Sequence, residues 1–277
     1  NATLLFPGAA ENAKVLLDEK VPVINFSLGK GDWIVKASHA YGGKVIATVV
    51  NARHAQRAED YGCDGVIATG HEAAAHGEHV TSLVLVPSLV DAVKIPVIAT
   101  GGFGDGRGLA AALAMGAEGI AMGTRFMTTK ESPLHDVYKR LSLEKGVEDT
   151  LYSDRFDGLL CRIMKTDAAE RAVRKGLNLP AAFFNAQDIA KQLKLPFFKL
   201  FIGVMMSGWK TAKQLAFMAN GFHAIRVATE DGDTKEGVLP VGQVMGLLHD
   251  EPTVAELMER MAVEAEKQQQ KLNAHFA

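Results

Sequence analysis

The stretch IPVIATGGFGDGRGLAAALAMGAEGIAMGTRF, residues 95–126, decides the fold. It opens on IPVIATGG (95–102), a β-branched run that is apolar on both faces, as parallel strands covered by helices are. A helical segment follows, GRGLAAALAMGA (106–117), and closes on Gly116, where a helix C-terminus favours a left-handed residue. GIAMGT (119–124) then reads as the next strand.

The same unit recurs upstream. VPVINFSL (21–28), KVIATVV (44–50) and GVIATG (65–70) read as strands. The segments DWIVKASHAYG (32–42), ARHAQRAEDYG (52–62) and LVLVPSLVDAVK (83–94) read as helices, and two of them end on Gly42 and Gly62. Strand–helix units repeating about every 20 to 30 residues indicate βαβ architecture. An open doubly wound sheet and a (β/α)8 barrel both fit the pattern. Five strands are too few to close a barrel. The opening NATLLFPGAAENAKVLLDEK (1–20) reads as a strand end followed by its helix, so the repeat is met partway through.

Beyond Thr129 the character changes. Residues 133–225 show helical periodicity, and ATEDGDTKEGVLP (228–240) reads as a charged loop. DEPTVAELMERMAVEAEKQQQKL (250–272) is expected to form a last helix, with Pro252 near its start and Thr253 and Glu256 spaced as a capping box.

The 277 residues are 48% apolar with a net charge of −2, enough for a sizeable core. That balance argues against nucleic acid or an anionic membrane surface as the main partner. Cys63 and Cys161 stand far apart in no metal or redox spacing, which suggests buried free thiols and a cytoplasmic setting. Residues 1–20 lack a signal peptide's pattern. LPFFKLFIGVMMSGW (195–209) is shorter than the roughly 20 residues of a span and is broken by Lys199, so no membrane span is expected.

Ligands of parallel α/β folds lie at the C-terminal strand ends, and three of these ends are unusual here. Gly101 and Gly102 end one strand, with a helix starting soon after; Gly123 and Thr124 end the next. Paired glycines let backbone N–H groups approach a phosphate, and a following helix N-terminus adds its positive end. The third end leads into HEAAAHGEH (71–79). Its first two histidines stand five apart, about 140° around a helix, unlike the zinc motif H-E-x-x-H. A zinc site, a polar turn and a catalytic loop are the three readings. The catalytic loop beside a phosphate site is preferred, with one histidine as acid, base or hydrogen-bond donor.

The run from Gly70 to Phe126, with its GHEAAAHGEH, GGFGDGRG and MGTRF motifs, resembles the FMN-dependent nitronate monooxygenase family, formerly the 2-nitropropane dioxygenases. The likeness spans residues 1–132 and VGQVMGLLHDEPTVAEL (241–257). It implies a TIM (β/α)8 barrel with a second, mostly helical domain. The barrel strands ahead of Asn1, roughly 70 residues with a Gly-Gly-Met turn along the flavin, are expected to precede this sequence. The domains then divide as 1–132, an FMN-binding barrel portion; 133–249, a helical substrate-covering domain; and 250–277, a helix returning to the barrel.

The resemblance places the FMN phosphate on Gly101, Gly102, Gly123 and Thr124. It faces Asn1 toward the flavin, brings Ala75 and Gln243 into the cofactor site, and makes His76 the catalytic residue. Glu72 is expected to orient His76, while His71 and His79 belong to the loop surface. Ala74 and Ala75 replace the family's double glycine, which narrows the pocket, and ATVV (47–50) lacks a lysine that some relatives carry. The implied activity is nitronate oxidation with O2. NAD(P)H:quinone reduction and enoyl-acyl-carrier-protein reduction stand as alternatives on the same scaffold, and a flavin-free phosphate-binding barrel as one of another class. Expected partners are a small-molecule substrate, O2 or NAD(P)H, and a second copy in a homodimer, but neither nucleic acid nor a metal.

Overall fold

Six parallel strands, each hydrogen-bonded to the next in sequence, form the main sheet. The computed structural model describes residues 1–277 except 6, 7, 75, 193–195, 207 and 277, and gives the backbone alone at 192 and 199–201. In chain order the strand–helix units are β1 (Ala2–Thr3) and α1 (Ala9–Asp18), β2 (Val23–Ser27) and α2 (Asp32–His39), and β3 (Lys44–Val49) and α3 (Ala52–Asp60). They continue with β4 (Gly65–Thr69) and α4 (Ser82–Ala92), β5 (Val97–Thr100) and α5 (Gly106–Ala114), and β6 (Gly119–Ala121). Successive strands as neighbours are the order of a (β/α)8 barrel; a doubly wound sheet reverses its order at a switch point. The order decides between the two architectures that the repeat allowed.

Along β2, β3 and β5 burial alternates. Ile24, Phe26, Val45, Ala47, Val49, Val66, Ala68, Val97 and Ala99 are buried, packed with Ile34, Val35, Ala55, Leu85, Leu89 and Ala112 from the helices. Asn25, Ile46, Thr48, Ile67, Ile98 and Thr100 lie on the other face and are only half-buried. The strands are therefore not equally apolar on both sides. The helix-covered face carries the core, while the other holds polar groups: Asn25 Nδ2 donates to Ile46 O and Thr48 Oγ1, each at 3.0 Å. Gly42, Gly62 and Gly116 take left-handed φ of 83°, 84° and 89° at their helix ends, as the sequence reading expected.

The following elements are α6 (Thr124–Met127), α7 (Asp136–Glu144), β7 (Thr150–Ser153), β8 (Cys161–Met164) and α8 (Asp167–Lys175). Then come α9 (Leu179–Gln192), α10 (Phe197–Met206), α11 (Trp209–Thr229), a 3-10 turn at Gln243–Leu247 and α12 (Val254–Phe276). Two compact units result: residues 1–72, 77–122 and 255–277 form one; 73–76 and 123–254 form the other. No helix among the described residues is long and apolar enough to cross a membrane.

Within the mostly helical second unit, the helical periodicity read over 133–225 is interrupted by a hairpin. β7 and β8 pair antiparallel, Thr150 opposite Met164 and Ser153 opposite Cys161. Four-residue strands are too short to show a period, and β8 is buried throughout, so alternation could not reveal it. The end of the charged 228–240 loop is also structural: Met164 N donates to Leu239 O at 2.8 Å, and Val238 and Leu239 are buried. α12 starts where expected, and Val254 N donates to the Glu131 carboxylate at 2.9 and 3.0 Å.

Asp64 ties the base of the sheet. Its carboxylate accepts from Lys44 Nζ, His39 Nε2 and Val45 N, each at 2.8 Å. Burial alone would favour the protonated acid, but the hydrogen bonds from Lys44, His39 and Val45 outweigh it and hold the pKa down, from 3.8 to about 2. A depressed folded pKa contributes stability above the unfolded value and loses it as pH falls toward the folded one. Asp64→Asn should therefore flatten the decline of the urea midpoint between pH 4 and 2 relative to wild type. Equal slopes would remove Asp64 from the acid limb.

Candidate active site

At the C-terminal end of β5 the chain turns through Gly101 and Gly102, with φ of 103° and 85°. Two successive left-handed residues require glycine. The turn is pinned by Ser82 Oγ, which donates to Gly101 O at 2.7 Å. The Gly101 and Gly102 amides donate to no described residue. Consecutive unpaired amides on such a turn form a concavity that accepts an anion, so the residues fit a phosphate.

The α5 N-terminus contributes less than its sequence promised. Asp105 Oδ1 accepts from Arg107 N at 3.0 Å and Gly108 N at 3.1 Å, and Glu264 Oε2 from Gly106 N at 2.9 Å. Carboxylates already occupy its first amides, so any anion must be held by the turn itself. Glu72 is likewise engaged elsewhere. Its carboxylate accepts from Ser82 N at 2.9 Å and Ser82 Oγ at 3.0 Å, capping α4, so it is no orienting partner for His76. Asn1 is exposed.

In the second unit, Gly123 has an ordinary φ of −93° and open space where a side chain would start. Thr124 is buried, and its Oγ1 accepts from Gly242 N at 3.0 Å, fixing the loop that leads into half-buried Gln243. The fully buried Arg125 guanidinium pairs with Asp250 at 3.0 Å and holds the far end of that loop. Ala75 lies outside the described residues.

The histidines of HEAAAHGEH separate. His71 Nδ1 lies 3.1 Å from Glu78 O, and the His71 and His79 rings are 6.2 Å apart. His76 instead meets Asp157, Nε2 to Oδ2 at 2.6 Å, across 81 residues of sequence. Both side chains are largely buried, at 24% and 12% exposure.

Asp157, the partner of His76, is marked by no motif in the sequence. It sits in the turn between β7 and β8, where Phe156 is buried and Gly158 closes the turn at φ 86°. Its Oδ1 accepts from Leu159 N at 3.1 Å, and Gln214 Nε2 donates to its carbonyl at 3.0 Å. Asp157–Gly158 is a turn-forming pair, but it lies inside the 154–160 connection between TLYS and CRIM, too long for the two-residue hairpin signal to mark it. Cys161 opens β8 in the same cluster; burial, then the charge of Asp157, pushes its thiol pKa far up.

A carboxylate only accepts, so His76 carries its proton on Nε2 when neutral and leaves the Nδ1 lone pair open. Nδ1 is then the ring atom able to accept a proton from a bound molecule.

α11 reaches this carboxylate closely because it presents Gly221: a Cβ there would stand 2.8 Å from Asp157 Cβ. Gly221→Ala should destabilise the fold by about 1–3 kcal/mol through overpacking and push Asp157 off His76. A chemical-denaturation midpoint and the histidine NMR signals read the two effects. Unchanged values in both would mean that α11 does not hold the carboxylate.

The nitronate monooxygenase family model matches residues 7–264. The chain is 37% identical over 271 residues to (3aS,4S,5R,7aS)-5-hydroxy-7a-methyl-1-oxo-octahydro-1H-indene-4-carboxyl-CoA dehydrogenase of Rhodococcus jostii (strain RHA1), covering 96% of this chain and 77% of that protein. It is 34% identical over 158 residues to a probable nitronate monooxygenase of Staphylococcus aureus (strain Newman), covering 53% of this chain and 44% of that one. Among solved structures, FabK from Thermotoga maritima superposes with a TM-score of 0.77 at 31% identity, covering 99% of this chain and 77% of that chain. The chain therefore belongs to the nitronate monooxygenase family, flavin-dependent oxidoreductases with a TIM-barrel fold.

Proposed function

We propose that the protein is an FMN-dependent dehydrogenase of a coenzyme A thioester with a bulky apolar acyl group. The carrying observation is the reach of the similarity. The likeness to the indene-carboxyl-CoA dehydrogenase runs over 271 residues, against 158 for the probable nitronate monooxygenase. The sequence between Asp188 and Glu230 supports the reading: it holds Lys191, Lys194, Lys199, Lys210, Lys213 and Arg226 and no acidic residue. Such a positive segment suits the phosphates of coenzyme A. In the same helices Phe184, Phe198, Ile202, Met206 and Trp209 are exposed and offer apolar surface to an acyl body.

Bound FMN would supply the two-electron redox chemistry. We assign its phosphate to the Gly101–Gly102 turn, and the family pattern assigns Asn1, Gly123, Thr124 and Gln243 to the same cofactor. His76 takes the substrate's proton at Nδ1, and Asp157 holds the ring and balances its charge. Nitronate oxidation is the second reading, favoured by the family model itself. It uses the same histidine toward an anionic nitro group.

Anaerobic mixing with a saturated alicyclic acyl-CoA should bleach the flavin, and the free acid should not. Bleaching by an alkyl nitronate alone would overturn the thioester reading in favour of the second. His76→Ala should retain flavin and slow turnover by about 10²–10⁴-fold. Gly123 accepts a side chain without strain, so Gly123→Val should fold like wild type and lose FMN. Stoichiometric flavin in that variant would move the site elsewhere.

A further inference from the structure

The sequence places Cys161 in no metal-binding spacing, but the fold brings it to His76 and Asp157. One ligand atom from each of the three lies within 4.8 Å of the others. We propose that His76, Asp157 and Cys161 bind a thiophilic divalent cation, with Zn2+ the fitting ion, and that occupancy switches the enzyme off.

The donor set selects the metal. One imidazole nitrogen, one carboxylate oxygen and one sulfur match zinc, whereas magnesium and calcium want oxygen throughout. Two ligands come from a rigid element: Cys161 begins β8 opposite Ser153, and Asp157 lies in the turn that this pair closes. The second shell is in place, because Leu159 N already donates to Asp157 Oδ1. His76 comes from a loop and is 24% exposed, which leaves an entry side and a fourth position for water.

Tetrahedral ligands at ~2.1 Å stand roughly 3.4 Å apart, so the 2.6 Å contact between His76 and Asp157 must open by under 1 Å. A loop histidine can supply that movement. The Cys161 thiol gives its proton to solvent as sulfur binds the ion. The His76 proton moves from Nε2 to Nδ1, because Nε2 now ligates the metal. Nδ1 thereby loses the lone pair on which the proposed base depends. Inhibition thus rests on the reading of His76 as the base, whereas binding does not.

Flavin-loaded enzyme, stripped with a chelator and desalted, is titrated with Zn2+ in a calorimeter. One ion per chain is expected, and zinc-edge X-ray absorption should show a sulfur neighbour at ~2.3 Å. Cys161→Ala should weaken binding by at least about 100-fold, and Cys63→Ala should leave it unchanged. Should Cys161→Ala fold poorly, Cys161→Ser and the wild-type edge spectrum carry the test. Absence of stoichiometric binding, an edge with only nitrogen and oxygen neighbours, or equal affinity in the Cys161 variants would overturn the site. Zinc bound through sulfur without loss of turnover would keep the site and refute the role of His76.

Discussion

The contact between His76 Nε2 and Asp157 Oδ2 joins residues 81 positions apart, and the proposed chemistry depends on it. One side is a loop after β4, bracketed by Gly70 and Gly77; the other is a tight turn between two short strands. Neither segment fixes a side chain unaided. Held together at 2.6 Å, they choose the histidine's tautomer and leave Nδ1 as the atom that the proposed reaction uses. Around the pair, Leu159 N donates to the Asp157 carboxylate, Gln214 Nε2 donates to its backbone carbonyl, and Gly221 packs against its Cβ. The ring is positioned by long-range folding rather than by the motif that contains it.

The strand–helix repeat was legible because its signals are local and repeated. Most strands are short β-branched runs, and α2, α3 and α5 close on Gly42, Gly62 and Gly116, which take the expected conformation. Strand order was not legible, since periodicity says nothing about which strands pair. The Gly101–Gly102 turn could be seen because two adjacent glycines at a strand end have few other uses. The occupancy of the α5 amides could not, because Glu264 arrives from 158 residues away.

Within the proposed site, the family likeness points to His76, and the nearest acid in sequence that could orient it is Glu72. That carboxylate is consumed by the α4 N-terminus, where Ser82 offers both its amide and its hydroxyl. Asp157 and Cys161 were hidden for a different reason. They lie on a hairpin whose strands are four residues long and whose second strand is wholly buried, so neither faces of a helix nor alternation marked them. Thr124, read as ending a strand, instead opens α6 beyond β6, and its hydroxyl accepts from Gly242 N.

We propose that His76 and Asp157 act as one unit, and a double-mutant cycle on turnover separates this from independent action. If they do, His76→Ala/Asp157→Ala should turn over about as slowly as His76→Ala alone, because groups acting together are strongly non-additive. Losses that multiply, with the double variant slower by the product of the two single effects, would mean that Asp157 acts independently and would contradict the account.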